Sequence, residues 1–410
     1  MTRDVLPNGL VVIVQEHRSA DVVALQLWIG VGGRDEAPSE RGYSHFVEHM
    51  VFKGTESRPR GFTDQEVEAV GGRTNAATSN DYTYYYLLLP ASRAARGVEL
   101  LADMAFHASF DPEEIARERE VVFEEVRLSE DNARTTLYRR LQQIAFPGHP
   151  YGLPVLGDAA ALRASTRDTL RGYYARHYVP DNMALVVVGA VDPAEMRAVA
   201  ARAFAGAKPA GRTRPLAPPA PALAGAPGAV IARPERQASL GLAWRAPAQG
   251  DPDMFAVDLL AQVLGGTRGS RLTQALRERD RIVSSIGAGY SSLQGGGVVT
   301  VTAQLEPADE ARVEAAILAE IQRIAADGVT GRELERAMTA AESGREFSRE
   351  TAEGLARAYG RAEITWTLEA DRTYLDGIRA VTPDAVRAVA RRYLTAPHVR
   401  LVLAPAATSP

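Results

Sequence analysis

His45-Phe46-Val47-Glu48-His49 packs two imidazoles and one carboxylate into little more than a single helical turn. Residues four apart share a helix face, so both rings can reach one metal ion, and Glu48, three after His45, points to nearly the same side. From there its carboxylate can touch a water on that metal instead of the metal itself, the arrangement of zinc-activated hydrolysis. The order is reversed relative to the commoner His-Glu-x-x-His pattern, and a third ligand has to come from elsewhere in the chain.

The stretch Arg117-Glu118-Arg119-Glu120-Val121-Val122-Phe123-Glu124-Glu125-Val126 offers one. Its apolar and acidic residues follow a helical repeat, with Glu118, Val121, Val122 and Glu125 at i, i+3, i+4 and i+7 on one face. A face shared with two valines is expected to look inward. Carboxylates there need a partner, because an unpaired buried charge is costly, and a divalent cation would supply it. For Glu118 a simpler partner is open, Arg119 or Arg127 on a solvated helix.

With these two segments the chain resembles the pitrilysin and mitochondrial processing peptidase family, the inverzincins, as a bacterial two-domain member. That family reads His-x-x-Glu-His and then, after roughly 75 residues, a Glu-Arg-x-x-x-x-x-Glu helix whose last glutamate binds zinc. Glu125 stands 76 positions beyond His49. The resemblance therefore implies one Zn2+ held by His45, His49 and Glu125, with Glu48 as general base and Glu118 as an additional acid supporting the ligands. It also selects Glu125 over Glu124. The likeness extends through Leu6-Pro7-Asn8-Gly9-Leu10, Met50-Val51-Phe52-Lys53-Gly54-Thr55, Gly71-Gly72-Arg73-Thr74-Asn75-Ala76, His149-Pro150-Tyr151-Gly152 and Tyr178-Val179-Pro180-Asp181-Asn182-Met183. In the family an Asn-Ala pair lies beside the zinc and an edge strand pairs with the substrate backbone, so Asn75 and Ala76 are expected to bind substrate. The His149 loop is read as structural, and His17, His107, His177 and His398, which lack partners at ligand spacing, as capping or packing residues.

At 410 residues the chain exceeds what one core usually supports. A net charge of −4 and the lack of a basic stripe argue against nucleic acid. No apolar run approaches the roughly 18 to 20 residues of a membrane span, the nearest being short segments such as Met183 to Val191, so a soluble protein is expected. The familiar text begins at Val5 with no signal-like segment before it, which predicts a cytoplasmic location if Met1 is the natural start and a periplasmic one if a leader has been removed. Having no cysteine, the chain has only histidine and carboxylate as strong metal donors.

Residues 205 to 228 are rich in proline, alanine and glycine and read as a linker. It separates an N-terminal zinc-binding domain, 1 to 204, from a C-terminal domain, 229 to 410. The halves look alike: Val23 to Gly30 with Trp28 matches Ala238 to Arg245 with Trp244, and Phe52-Lys53-Gly54-Thr55 matches Val263-Leu264-Gly265-Gly266-Thr267. Aligned on those Gly-Thr ends, His45, Glu48 and His49 fall on Val257, Leu260 and Ala261, so the second copy lacks the chemistry. Each half reads as strands mixed with helices, an α+β pattern with largely antiparallel sheets. The resemblance adds that the halves face each other as a clamshell around a chamber, hinged at the linker.

One departure bears on mechanism. The family often supplies an arginine, and a tyrosine seven residues later, to stabilise the oxyanion; here Leu276-Arg277-Glu278 keeps the arginine while Ser284 stands in the tyrosine's place, and Tyr290 is six positions away. A related subunit bearing the tyrosine is therefore the expected partner, a heterodimer, or otherwise a homodimer. The rival reading, also drawn from the resemblance, is a non-catalytic subunit like the core proteins of the respiratory cytochrome complex.

Overall fold

The computed structural model describes residues 1–211 and 214–406, so Arg212 and Thr213 of the expected linker and the last four residues lie outside the described residues. Two sheets organise it. The first runs β1 (Thr2–Val5), β2 (Val11–Glu16), β6 (Met183–Gly189), β3 (Val22–Ile29), β5 (Thr83–Pro90), β4 (Arg73–Thr78), and the second β7 (Gly228–Arg233), β11 (His398–Pro405), β8 (Ala238–Ala246), β10 (Gly296–Leu305), β9 (Ser285–Leu293). In each, one pair is parallel, β2 with β6 and β7 with β11, and the rest are antiparallel. Leaving β1 aside, the two sheets have the same strand order and orientations, so the repeat read from Trp28 and Trp244 is a repeat of topology. The fold is α+β. Between the helix Pro193–Ala203 and β7 the described residues form no helix or strand.

The chain makes two compact units. One comprises Met1–Val126, Leu153–Pro215 and Glu346–Asp371; the other takes Arg127–Gly152, Leu216–Arg345 and the described residues from Arg372 on. Period-two alternation explains how the first sheet is buried on both faces. Val23, Leu25, Leu27 and Ile29 of β3 pack with Tyr85, Leu87 and Leu89 of β5 in the main core, under the helices Tyr43–Val51 and Ala94–His107. On the other face Ala24, Trp28, Tyr84, Val186 and Val188 meet Ala352 and Ala356 of the helix Ala352–Thr365. Being covered twice is why β6 reads as an unbroken apolar run. The second unit has the matching layer: Leu137, Leu141 and Ala145 of the helix Ala133–Ala145 cover Ala243, Val298, Val399 and Leu401. Each sheet thus draws a covering helix from the other half of the sequence.

Helix-to-strand approach is closest where a side chain is missing. A Cβ on Gly360 would lie 2.0 Å from Nε1 of Trp28, whose indole N–H donates to Gln26 Oε1 at 2.9 Å.

The helix Tyr43–Val51 starts from Gly42 in the left-handed region, φ 95°. A buried carboxylate caps it: Glu36 accepts N–H bonds from Gly42 at 2.9 Å and Ser44 at 2.8 Å. These are donors that a helix start leaves without partners. Burial pushes the Glu36 carboxyl up to about 7, against the opposing pull of those N–H groups and of Arg41. At the other end, the turn after the helix is pinned to the segment leading into the helix Pro112–Asp131: Ser109 N–H donates to Gly54 O at 3.0 Å, Glu56 N–H donates to His107 O at 2.9 Å, and Thr55 bridges Ala108. Phe110, fully buried at φ 50°, completes that junction, and Arg167 Nε donates to its carbonyl at 2.9 Å.

Two outcomes are expected. Gly360→Leu should lower the unfolding midpoint by the equivalent of about 1–3 kcal/mol, because the added atoms must displace Trp28. Gly344→Ala, in a helix with open space around its Cβ, should raise it slightly. Denaturant titrations of both variants check the contrast. For Glu36 the folded state holds a proton that the unfolded chain has released by about pH 5. Its contribution is full below pH 4.5 and is lost as pH rises through 7, a change on the order of 3 kcal/mol. Metal-free Glu36→Gln should accordingly show a flatter decline of unfolding midpoint between pH 5 and 8 than the parent; equal slopes would exclude Glu36 as the titrating group.

Candidate metal centre

Apolar packing decides which face of the helix Tyr43–Val51 is left for chemistry. Phe46, Val47, Met50 and Val51 sink into the core, so His45, Glu48 and His49 share the remaining side. The helix Pro112–Asp131, capped by Asp111 Oδ1 on Glu113 N at 2.8 Å, brings the acids. Its buried residues are Glu114, Ile115, Glu118 and Val122. Val121 departs from the expected inward face: it is 44% exposed. The true inward line runs 115, 118, 122, and Val121 sits one residue off it.

His45 Nε2 and His49 Nε2 are 3.1 Å apart, and Glu125 Oε2 lies 3.4 Å from the first and 3.6 Å from the second. These three are the group of ligand-type residues among the described residues whose atoms all fall within 4.8 Å. Glu124, the neighbour set aside by the resemblance, is exposed. A tetrahedral ion with arms of about 2 Å holds its ligand atoms roughly 3.3 Å apart, so the triangle has the size that zinc requires. The donor chemistry fits as well. Burial, then the neighbouring His49, pushes the His45 imidazole down to about 3, so it is a neutral lone-pair donor at pH 7. His49 is pulled both ways: burial lowers its pKa, while the Glu118 hydrogen bond and the Glu125, Glu48 and Glu118 charges raise it, with the net shift upward. The position therefore favours positive charge.

Glu118 does not pair with Arg119. Its Oε1 accepts from His49 Nδ1 at 2.8 Å and its Oε2 from Lys53 Nζ at 2.7 Å, whereas the Arg119 guanidinium donates to Leu162 O and Ser165 O. With Nδ1 donating to Glu118, Nε2 of His49 carries the lone pair aimed at the triangle. Burial opposes ionisation of Glu118, yet His49 and Lys53 hold its carboxyl below the ordinary value.

Glu48 is not one of the three residues of that group. Burial raises its pKa, with Glu125 adding to the rise and Thr78 and His49 opposing it. Thr78 Oγ1 donates to Glu48 Oε2. That hydroxyl comes from β4, the edge strand of the first sheet, which among the described residues pairs with β5 alone. On β4 the alternation sends Ala76 toward the main core, Thr78 follows on the same side, and Asn75 is exposed, its Oδ1 accepting from Ala76 N at 2.8 Å. Glu36, Lys53 and Thr78 went unread in the sequence; counting two residues on from Ala76 would have found Thr78.

Arg277 belongs to the second unit, exposed on the helical turn Thr273–Arg279. Ser284 is exposed beside β9, its backbone N–H donating to Gln304 O at 2.8 Å and its hydroxyl facing the same carbonyl at 3.2 Å. Tyr290 does not substitute for the absent tyrosine, because its hydroxyl donates to Pro247 O at 2.7 Å. The His149 ring bonds backbone, Pro218 O at 2.9 Å and Tyr151 N at 3.1 Å. Among the described residues no helix is long and apolar enough to cross a membrane.

Residues 11–159 match the family profile described as insulinase, peptidase family M16, and residues 164–341 match the one described as the peptidase M16 inactive domain. The first holds every residue of the triangle. A Mycobacterium tuberculosis protein described as an uncharacterized zinc protease is 31% identical over 410 residues, covering 98% of this chain and 93% of that one. A Bacillus subtilis protein of the same description is 29% identical, covering 98% of both. In fold, the chain superposes on a protease from Helicobacter pylori with a TM-score of 0.92 at 24% identity, over 98% of this chain and 99% of that one. It also superposes on an M16 inactive-domain protein from Pseudomonas fluorescens, with 0.90 at 20%, over 100% and 99%. The chain belongs to the pitrilysin, or M16, family of peptidases, as a two-domain member of the bacterial type.

Proposed function

We propose that the chain is a zinc endopeptidase in which His45, His49 and Glu125 hold one Zn2+. The observation that carries this reading is the triangle of 3.1, 3.4 and 3.6 Å between a neutral imidazole, an imidazole backed by Glu118, and a carboxylate. The relatives named as zinc proteases support it. Bound there, zinc would supply the Lewis acidity that acidifies water and polarises a peptide carbonyl.

The chain's own residues do the rest. Glu48 takes the water's proton on its carboxylate and delivers it to the leaving amine nitrogen, a task suited to an acid whose pKa burial has raised. Thr78 fixes one Glu48 oxygen and leaves the other for the proton. Glu118 keeps His49 turned with Nε2 toward the ligand group. The free edge of β4, with Asn75 and Ala76, receives an extended peptide by strand addition, which reads backbone more than side chains. Substrates are then peptides or unfolded segments, and folded proteins should resist.

Stabilisation of the developing oxyanion is the weak point. Arg277 offers one charge, and Ser284 offers no phenolic donor. Losing one such donor costs on the order of a hundredfold in turnover, so the chain is best read as the catalytic partner of a related subunit that brings the tyrosine.

Glu48→Gln should retain stoichiometric zinc by elemental analysis and lose roughly 100-fold or more in cleavage of an unstructured peptide; near-normal cleavage would mean that another residue is the base. Mixing the isolated chain with a homologous, tyrosine-bearing subunit should raise peptidase activity well above the sum of the two alone. Full activity in the isolated chain, unchanged on mixing, would remove the partner.

A further inference from the structure

Among 47 lysines and arginines only two are lysine, Lys53 and Lys208, and the second lies in the proline-rich linker. In a chain that turns to arginine for nearly every other cation, the lysine at 53 calls for a physical reason. The contact it makes provides one. Lys53 Nζ meets Glu118 Oε2 at 2.7 Å, and the other oxygen of the same carboxylate is the one that accepts from His49 Nδ1 at 2.8 Å. The Glu118 side chain is 7% exposed and that of Lys53 23%, so the pair is shielded and its geometry consequential.

A carboxylate serving two donors has to divide its oxygens. An ammonium is a compact point charge that takes one oxygen and leaves the other. A guanidinium presents a planar fork that prefers both oxygens at once. At position 53 such a fork would compete with His49 for Oε1 and turn Glu118 off the imidazole. His49 would then be free to swap tautomers and rotate, and Nε2 would lose its aim.

We infer that Lys53 is a positioning residue for the metal centre, holding Glu118 by one oxygen so that the other fixes the His49 tautomer, and that arginine cannot replace it. This rests on the zinc-ligand reading of His45, His49 and Glu125. Lys53 reaches the ion only through Glu118 and His49, so its signature is metal affinity.

The test uses the full chain, stripped of metal, as parent, Lys53→Arg, Lys53→Met and His49→Ala. Zinc dissociation constants come from competition with a chromophoric chelator at fixed pH and salt, and unfolding midpoints of the metal-free proteins serve as the control for folding. Both Lys53 variants should bind zinc roughly 10–100-fold more weakly than the parent at unchanged metal-free midpoints. Parent-like affinity in either variant overturns the inference: in Arg because charge alone then suffices, in Met because no cation is then needed. Should Met fail to fold, Arg decides, since it keeps the charge. His49→Ala separates the two levels. If it binds zinc as the parent does, the ligand reading falls and this inference with it; if it loses zinc while Lys53→Arg matches the parent, only the role of Lys53 falls.

Discussion

Two imidazole nitrogens facing each other at 3.1 Å, with a carboxylate oxygen closing the triangle, form the constraint that the first unit is built to hold. Lone pairs at that distance repel unless a proton or a metal ion stands between them. Burial has removed the proton from His45, while three carboxylates around His49 attract positive charge. A divalent cation answers both conditions, and a group tied down this firmly loses little freedom on taking one up. The surrounding apparatus works against slack. Glu36 anchors the start of the histidine helix, the Thr55–Ala108 bridge anchors its exit, and Asp111 anchors the start of the helix that brings Glu118 and Glu125.

The second unit shows what the same scaffold becomes without that constraint. Its helix Met254–Ala261 has Val257, Leu260 and Ala261 where the first has His45, Glu48 and His49, and all three are buried. Swapping a polar cluster for well-packed apolar side chains is often neutral or stabilising, so the repeat can keep its fold without the ligand-type residues. A polar cluster is the destabilising element here, and the first unit offsets it at Glu36, Glu48 and Glu118, each of which accepts hydrogen bonds. The one acid on that helix, the half-buried Asp258, follows the same rule on its own, taking the Tyr374 hydroxyl while desolvation raises its pKa.

Much of this was legible because it is periodic. Helical spacing put His45, Glu48 and His49 on one face and Glu118 and Glu125 on another, while it took the family resemblance to single out Glu125 as the acid that the structure brings to the rings. Trp28 and Trp244 marked strands that turn out to occupy equivalent places in two sheets. What escaped reading is what period cannot carry. Val121 was assigned inward because the i, i+3, i+4 pattern cannot tell adjacent helical lines apart, and the core chose the line through Val122. Thr78 meets Glu48 across 30 positions, a pairing set by the β4 to β5 register. The crossed covering helices, Ala133–Ala145 and Ala352–Thr365, are amphipathic in sequence like any others, and nothing in their apolar stripes says which sheet they will cover.

The placement of Thr78 has a consequence for how binding and chemistry are linked in the proposed reaction. Ala76 and Thr78 project from the same side of β4, while the free edge of that strand is where a peptide backbone would add. A substrate docking on β4 therefore registers itself against the very strand that orients Glu48. Because strand pairing fixes positions along the strand in steps of one residue, and a one-residue slip reverses every side chain, only a peptide in the correct register sets its carbonyl before the base. Affinity can then come from backbone hydrogen bonds common to all extended peptides, and selection from whether a chain can be extended at all.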